Sequence, residues 1–383
     1  MRWLRSLLFF TLGALVVSPL SVRNLSAADA RPQWEIEWQK TLEAAKKEGQ
    51  LTIYGSTDYD LLFAEFQKKY PEIKVVSVIA TGREVAQRIM TERRAGKYLA
   101  DLYLDGASTA YGILYKGKVL DPIKPQLILP EITELTRWWM NGKYIYSDDE
   151  RSYIFSFNGE LQPYYGYNTQ LVNPKEIQSY WDLLNPKWQG KIVALDPTIG
   201  GPVATPLRFL YYHPDLGPQF LRRLLGEMEI TASRDVRQIG DWLATGKFPL
   251  SIFTTPNRTG LDVAKKQGLP VDWFGPKSFK EGICLSNANG NVGLINNAPH
   301  PNAARLAVNW LLSREGQIAY QRIINTGISN SLRIDIPKDT VTPEFQRVEG
   351  ANYIVTERPE WMDTAPMLKI VDEAWSKKRA VGR

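Results

Sequence analysis

Apolar positions along this chain fall into short buried runs that alternate with amphipathic stretches. Pro32–Glu48 has helical spacing and closes at Gly49; Leu51–Tyr54 then reads as a buried strand stopped by Gly55-Ser56-Thr57. Asp60–Tyr70 places Leu62, Phe63 and Phe66 on one helical face and ends before Pro71. Ile73–Ile79 is β-branched and strand-like, Thr81-Gly82 opens a helix over Arg83–Ala95, and Asp101–Leu104 is a third strand. Asp105-Gly106-Ala107-Ser108 then opens a third helix. This β-α-β-α order predicts a mostly parallel sheet flanked by helices.

A second such series begins beyond residue 150. It comprises strands at Lys191–Leu195, Met228–Ala232 and Pro249–Phe253, with helices at Val203–Tyr212, Pro218–Glu227, Val236–Thr245 and Thr259–Gln267. Asn302–Ile324 reads as two amphipathic segments broken at Arg314-Glu315-Gly316, and Phe345–Gly382 as a helical tail interrupted by Pro359 and Pro366. No repeat and no low-complexity linker separates the two α/β units, which predicts a tight hinge between them.

The first thirty residues have a different character. Arg2 and Arg5 precede an apolar run, Leu7–Val17, and the small residues Ser26-Ala27-Ala28-Asp29-Ala30 follow at the spacing a signal peptidase reads. The run is shorter than the roughly 20 residues a spanning helix needs, so a cleaved signal peptide over residues 1–28 is expected. Removing it takes away Arg2, Arg5 and Arg23 and leaves 44 basic against 41 acidic residues, a net of +3 that is no nucleic-acid footprint. The single Cys284, in the apolar run Gly282–Leu285, excludes an internal disulfide and reads as a buried inert thiol.

Catalytic signatures are missing. The sequence contains no HExxH, CxxC, GxSxG or P-loop, and its only histidines, His213 and His300, sit beside prolines in apparent turns. What recurs is a strand that ends in Gly, Ser, Thr or Asp and gives way at once to a helix. Strand ends of this kind share one edge of an open α/β sheet, where ligands bind and helix-start N–H groups attract anions. The candidate ligand-binding residues are therefore Ser56, Thr57, Thr81, Gly82, Arg83, Asp105, Gly106, Thr198, Gly200, Gly201, Arg234, Asn257 and Arg258. The three arginines follow strand ends and could clamp a carboxylate or phosphate; the competing reading is an ordinary cap or a solvated side chain at each position. Tyr165, in Tyr-Gly-Tyr-Asn at the boundary between the units, joins them as a residue facing a cleft.

Three stretches carry a resemblance: Glu43–Tyr54; Ser179–Lys191 (Ser-Tyr-Trp-Asp-Leu-Leu-Asn-Pro-Lys-Trp-Gln-Gly-Lys); and Pro301–Gln317, ending Asn-Trp-Leu-Leu-Ser-Arg-Glu-Gly-Gln. In these the chain resembles the periplasmic solute-binding proteins of ABC importers, in the ferric-iron, thiamine and putrescine group. The resemblance implies a two-lobed type II fold, with residues 31–150 and 271–335 in one lobe and 151–270 and 336–383 in the other. It also implies a monomer without cofactor, located in the periplasm, that captures a small molecule between the lobes and hands it to an inner-membrane permease with its ATPase. Ferric-binding members place a His after the first strand, a Glu after the third and a Tyr-Tyr pair after a later one. Those positions fall here near Asp58, on Gly106 beside Asp105, and within Thr254–Arg258, which holds no tyrosine. Iron loses its hard anionic ligands, whereas the family's anion-binding turn survives in altered form at Asp196–Gly201. The expectation is a binding protein for an anionic organic solute; a secreted enzyme, a signalling sensor or an atypical ferric binder are the alternatives.

Overall fold

The computed structural model describes residues 31–199 and 203–381, with side chains to 375. The expected signal peptide and two candidate residues, Gly200 and Gly201, lie outside the described residues. The first helix, Gln33–Glu48, stops where Gly49 takes φ 68° and returns its N–H to the Ala45 carbonyl at 3.0 Å.

On its first pass the chain forms β1 (Gln50–Gly55), β2 (Lys74–Ile79), β3 (Leu102–Leu104), β4 (Leu120–Asp121) and β5 (Ile154–Ser156). The short β6 (Glu160–Leu161) carries it across to β7 (Tyr165–Asn168), β8 (Ile192–Leu195), β9 (Ile230–Ser233), β10 (Leu250–Ile252) and β11 (Val271–Trp273). It returns through β12 (Ile283–Ser286) to β13 (Asn291–Ile295), and later adds β14 (Tyr353–Val355). These strands make three sheets: β2-β1-β3-β13-β4 with β5 on β13, then β11-β7-β10-β8-β9, and a small one, β14-β12-β6, at the crossovers.

The consecutive β-α-β units are parallel, as expected, in β2-β1-β3 and in β10-β8-β9. The strands that enter after a crossover, β13 and β7, pair antiparallel, so each large sheet is mixed and not mostly parallel. The sheets also keep their strands past the expected boundaries at 150 and 270: β5 belongs to the first, and β11 to the second.

Burial follows the sequence pattern. In the helix Tyr59–Lys69 the residues Tyr59, Leu62, Phe63 and Phe66 are fully buried, each such side chain contributing about 1.5–3 kcal/mol by leaving water. They share a core with Leu51, Ile53, Trp310 and Tyr320, while Tyr180, Phe209, Phe220 and Phe253 anchor a separate core around the second sheet. The C-terminal helix Ala365–Val381 joins that second core through Met367, Ile370, Val371 and Trp375. The segment before it is not the expected long helix but a strand between two short 3-10 turns, Pro343–Phe345 and Pro359–Trp361. Tyr353-Ile354-Val355, all good strand formers, pair in parallel with Ile283–Leu285, because the open edge of β12 supplies a ladder that the local helical pattern does not reveal. Cys284, in β12, is buried with its thiol pushed up by burial.

Candidate functional site

Register aligns the strand ends. Gly55 lies beside Ile79 and Leu104, so the chain leaves all three parallel strands of the first sheet at one edge. In the second sheet Leu195 lies beside Ser233, and Ala194 beside Ile252.

At the first edge, Ser56, Gly82, Asp105 and Gly106 come together around a carboxylate of the protein itself. Asp105 is buried and accepts the Gly106 N–H, with the Gly82 N–H also facing it; the Ser56 hydroxyl nearby is buried and makes no hydrogen bond of good geometry. A β-carbon at Gly82 would sit 2.2 Å from Asp105 Oδ2 and 2.8 Å from the Tyr103 hydroxyl, so only glycine lets this carboxylate reach the helix start. Burial outweighs these donors and raises the Asp105 carboxyl to about 6. Thr81 is a helix cap: its hydroxyl accepts the Glu84 N–H, and Glu84 takes the Thr81 N–H at 3.0 Å. Arg83 and Thr57 are exposed.

At the second edge, buried Asp196 accepts the N–H of Thr198 at 3.0 Å, its hydroxyl at 2.7 Å, and Arg234 Nε at 2.9 Å. The expected anion clamp at Arg234 thus already holds an internal carboxylate. After β10 the pattern differs. Phe253 takes φ 67°, Thr254 and Thr255 are buried, and Asn257 and Arg258 emerge from them. Thr254 Oγ1 is buried without a partner, and Arg258 forms no ion pair with a described carboxylate.

Thr254, Thr255, Asn257 and Arg258 form one wall of a cavity of about 290 Å³. The crossover residues Glu160–Gln162 and Tyr164 form its floor, and Ser286, Ala288, Asn289, Asn325 and Ile328 its opposite side. The first-sheet edge adjoins this opposite side. The Tyr59 hydroxyl donates to the Asn289 carbonyl at 2.6 Å, and a β-carbon on Gly106 would lie 3.7 Å from the Ala288 carbonyl. Glu160 is buried, accepting Asn158 Nδ2 at 3.0 Å, Asn325 Nδ2 at 3.1 Å, Ser329 Oγ at 3.2 Å and Gln162 Nε2 at 3.1 Å; burial raises its carboxyl above the ordinary range. Phe253, Ala288 and Asn325, all lining this cavity, have positive φ, a strain that clusters at functional sites. A larger hollow, about 690 Å³ near Lys175, Lys277 and Lys280, opens on the outer surface and touches neither strand edge.

Sequence reasoning placed Asn257 and Arg258 in this wall but missed Glu160, Gln162, Tyr164, Ser286, Asn289 and Asn325. Tyr165 does not face the cavity. Its ring packs 5.0 Å from Tyr180 and 5.6 Å from Phe279 in the second core. Its neighbour Tyr164 lines the cavity, burial holding the phenol well above its ordinary range with Thr205 and Arg258 beside it. The Tyr-Tyr pair was the available signal, and extended backbone turns successive side chains to opposite faces. A further missed contact spans the units: Arg208, fully buried on the helix Ala204–Tyr212, donates from Nη2 to Ser108 Oγ at 2.7 Å and faces Glu357 at 3.6 Å. Neither histidine lines the cavity; His213 bonds the Glu281 carbonyl and His300 meets buried Asp101.

Residues 48–318 match the family of bacterial extracellular solute-binding proteins. The chain belongs to that family. Members are binding proteins of ABC transporters rather than enzymes, and the solved structures agree on the two-lobed fold. The iron- and citrate-bound IdiA (FutA) of Trichodesmium is 18% identical, with a TM-score of 0.63 over 85% of this chain and 99% of its own. The iron-bound HitA of Pseudomonas aeruginosa is 16% identical, with a TM-score of 0.59 over 85% and 99%. AfuA of Actinobacillus pleuropneumoniae, bound to fructose-6-phosphate, is 18% identical, with a TM-score of 0.53 over 85% and 97%. No curated protein matches the chain significantly in sequence. Among the described residues no helix is long and apolar enough to cross a membrane, and no three His, Cys, Asp or Glu side chains gather as a metal-ligating group.

Proposed function

We propose that this solute-binding protein is exported to the periplasm, captures a small organic anion in the 290 Å³ cavity between its sheets, and presents it to an ABC permease. The observation that carries this reading is the wall Thr254–Arg258. It offers a guanidinium without an acidic partner and an unsatisfied buried hydroxyl, while the other strand-end arginine at the cleft side, Arg234, is bound to Asp196. An arginine charge persists at any physiological pH and pairs well with a carboxylate or phosphate. The hydroxyl and amide groups of Gln162, Ser286, Asn289 and Asn325 suit a polyhydroxylated or amide-bearing body. Ferric iron has weaker support, since the cavity wall contributes one tyrosine, Tyr164, whose proton is held tightly. Fructose 6-phosphate and citrate, named with two similar structures, define the first probes.

The test is a thermal-shift screen of the mature protein against organic anions, neutral sugars, cationic amines and ferric iron. A ligand at 100 times its Kd adds about 2.7 kcal/mol, well within reach of such a screen. Stabilisation confined to organic anions is the expected result. Stabilisation only by neutral or cationic solutes, or stoichiometric iron with a tyrosinate charge-transfer band, overturns it. Export is checked by N-terminal sequencing of periplasmic material, where the first residue is expected at Asp29 or Arg31 and an intact Met1 contradicts the signal-peptide reading.

A further inference from the structure

On the far side of the crossover strands lies a second cavity, of about 450 Å³, that belongs to neither strand edge. Its walls include Trp139, Asn330, Ile334, Lys338, Arg347 and Tyr353. Two cations enter it and neither pairs with a described carboxylate. Lys338 Nζ donates to Gln321 Oε1 at 3.1 Å and the Ser331 carbonyl at 3.0 Å, leaving one of its three N–H groups. Arg347 donates from Nη1 to the Gly159 and Asn330 carbonyls at 2.9 and 3.0 Å, and from Nη2 to the Ser331 carbonyl at 2.7 Å. Its Nε–H and one Nη2–H remain. Asp335 is held by Arg333, and Glu349, which also lines the cavity, is exposed and ion-pairs with neither cation among the described residues.

Lys338 and Arg347 are half-buried, and even partial burial of two neighbouring cations without a counter-ion is costly. Burial brings Lys338 down to about 7 and Arg347 to about 10, and the Arg347 charge pushes Lys338 down further. The rim is apolar. Met140, Ile334 and Val348 are exposed, and the Trp139 ring lies edge-on to Tyr353 at 6.4 Å with Arg347 5.7 Å from its centroid. Met140 and Asn141 both hold positive φ, a conformation a bulky side chain such as methionine rarely adopts. Unmatched cations at the base, aromatic and aliphatic walls above them and local backbone strain occur in one place.

We propose that this cavity is a second ligand site, taking a small organic acid whose carboxylate meets Lys338 and Arg347 and whose apolar body lies against Trp139, Ile334 and Tyr353. Inorganic anions satisfy only the base of such a site, and neutral aromatics only its walls. The site is independent of the interlobe cavity in its residues, although the two meet back to back across β6. Arg347 holds the carbonyl of Gly159, and the next residue, Glu160, lines the interlobe cavity.

Benzoate is the probe, titrated calorimetrically into the full mature protein alongside inorganic phosphate. Saturable benzoate binding is expected, with phosphate at least about tenfold weaker because it lacks the apolar body. Lys338→Met removes one charge-assisted contact and is expected to weaken benzoate about 10-fold or more. Val348→Glu, at an exposed rim position that no packing constrains, puts a like charge at the mouth and is expected to weaken it in the same direction. Arg258→Ala, in the interlobe cavity, is expected to leave benzoate binding unchanged. Binding that recruits a proton to Lys338 weakens as pH rises through about 7 and takes up protons above it. The proposal is overturned by no saturable benzoate binding, by phosphate binding as tightly as benzoate, by unaltered affinity in both Lys338→Met and Val348→Glu, or by loss of binding in Arg258→Ala.

Discussion

The strand ends of the two large sheets have the same local design and opposite occupancy. At the first, the Gly82 N–H that opens the helix Gly82–Arg94 faces Asp105, a carboxylate supplied by the end of β3. At the second, β8 and β9 close on each other through Asp196, Thr198 and Arg234, but the end of β10 leaves Thr254 without a partner and Arg258 without an acid. An anion-ready helix start is therefore not a vacancy. Where the protein places its own carboxylate there, the N–H donors are taken up internally, and under the proposed function ligand recognition falls to the end of β10.

That contrast breaks most readily at Gly82. Gly82→Ala places a β-carbon 2.2 Å from the Asp105 carboxylate; overpacking and a displaced buried carboxyl together are expected to cost about 4 kcal/mol, read by urea unfolding. A cost under about 0.5 kcal/mol would mean that the first edge is open after all.

A pH titration of stability sharpens the same point. The folded-state Asp105 carboxyl lies at about 6, above its ordinary 3.8, so its contribution is full below about pH 4 and is lost as pH rises through 6. The difference between wild type and Asp105→Asn should show this slope, at most about 3 kcal/mol across that window. Parallel curves for the two proteins would contradict the assignment. Smaller in free energy is the effect at the open edge. Arg258→Ala is expected to weaken the anionic solute found by screening about 10- to 150-fold while leaving unfolding unchanged. At the bottom of the scale, Arg83→Ala, exposed and outside the cavity, should shift neither affinity nor stability beyond about 0.5 kcal/mol. An Arg83 effect as large as that of Arg258 would reverse the comparison.

Much of the fold was legible along the chain because its cause is local. Leu62, Phe63 and Phe66 read as one helical face and are one; Thr81-Gly82 read as a helix start, and Thr81 caps it in a capping box with Glu84. Asn302–Ile324 read as a broken pair, and the break falls at Ser313, whose hydroxyl accepts the Gly316 N–H at 3.2 Å. Such features depend on residues within a turn or two of each other, and hydrophobic period and capping chemistry report them directly.

The site was legible only as a set of strand ends. Local pattern identified where backbone N–H groups and arginines would emerge, and thus Asn257 and Arg258 as well as Arg83 and Arg234. It carried no information on which of these would meet an acid from another strand, since Asp196 and Arg234 lie far apart in the chain and are joined by the β8–β9 ladder. Tyr164 and Tyr165 differ by one position and part to cavity and core, a choice made by the face each presents once the second sheet is packed. Glu160, Asn289 and Asn325 converge from three distant segments, and β14 pairs with an edge seventy residues upstream. By itself the sequence determined the elements, the caps and the α/β class, because those energies are summed over neighbours in the chain. Only the tertiary structure decided which charges are paired internally and which are left to line a cavity, because desolvation and ion pairing depend on groups brought together through space.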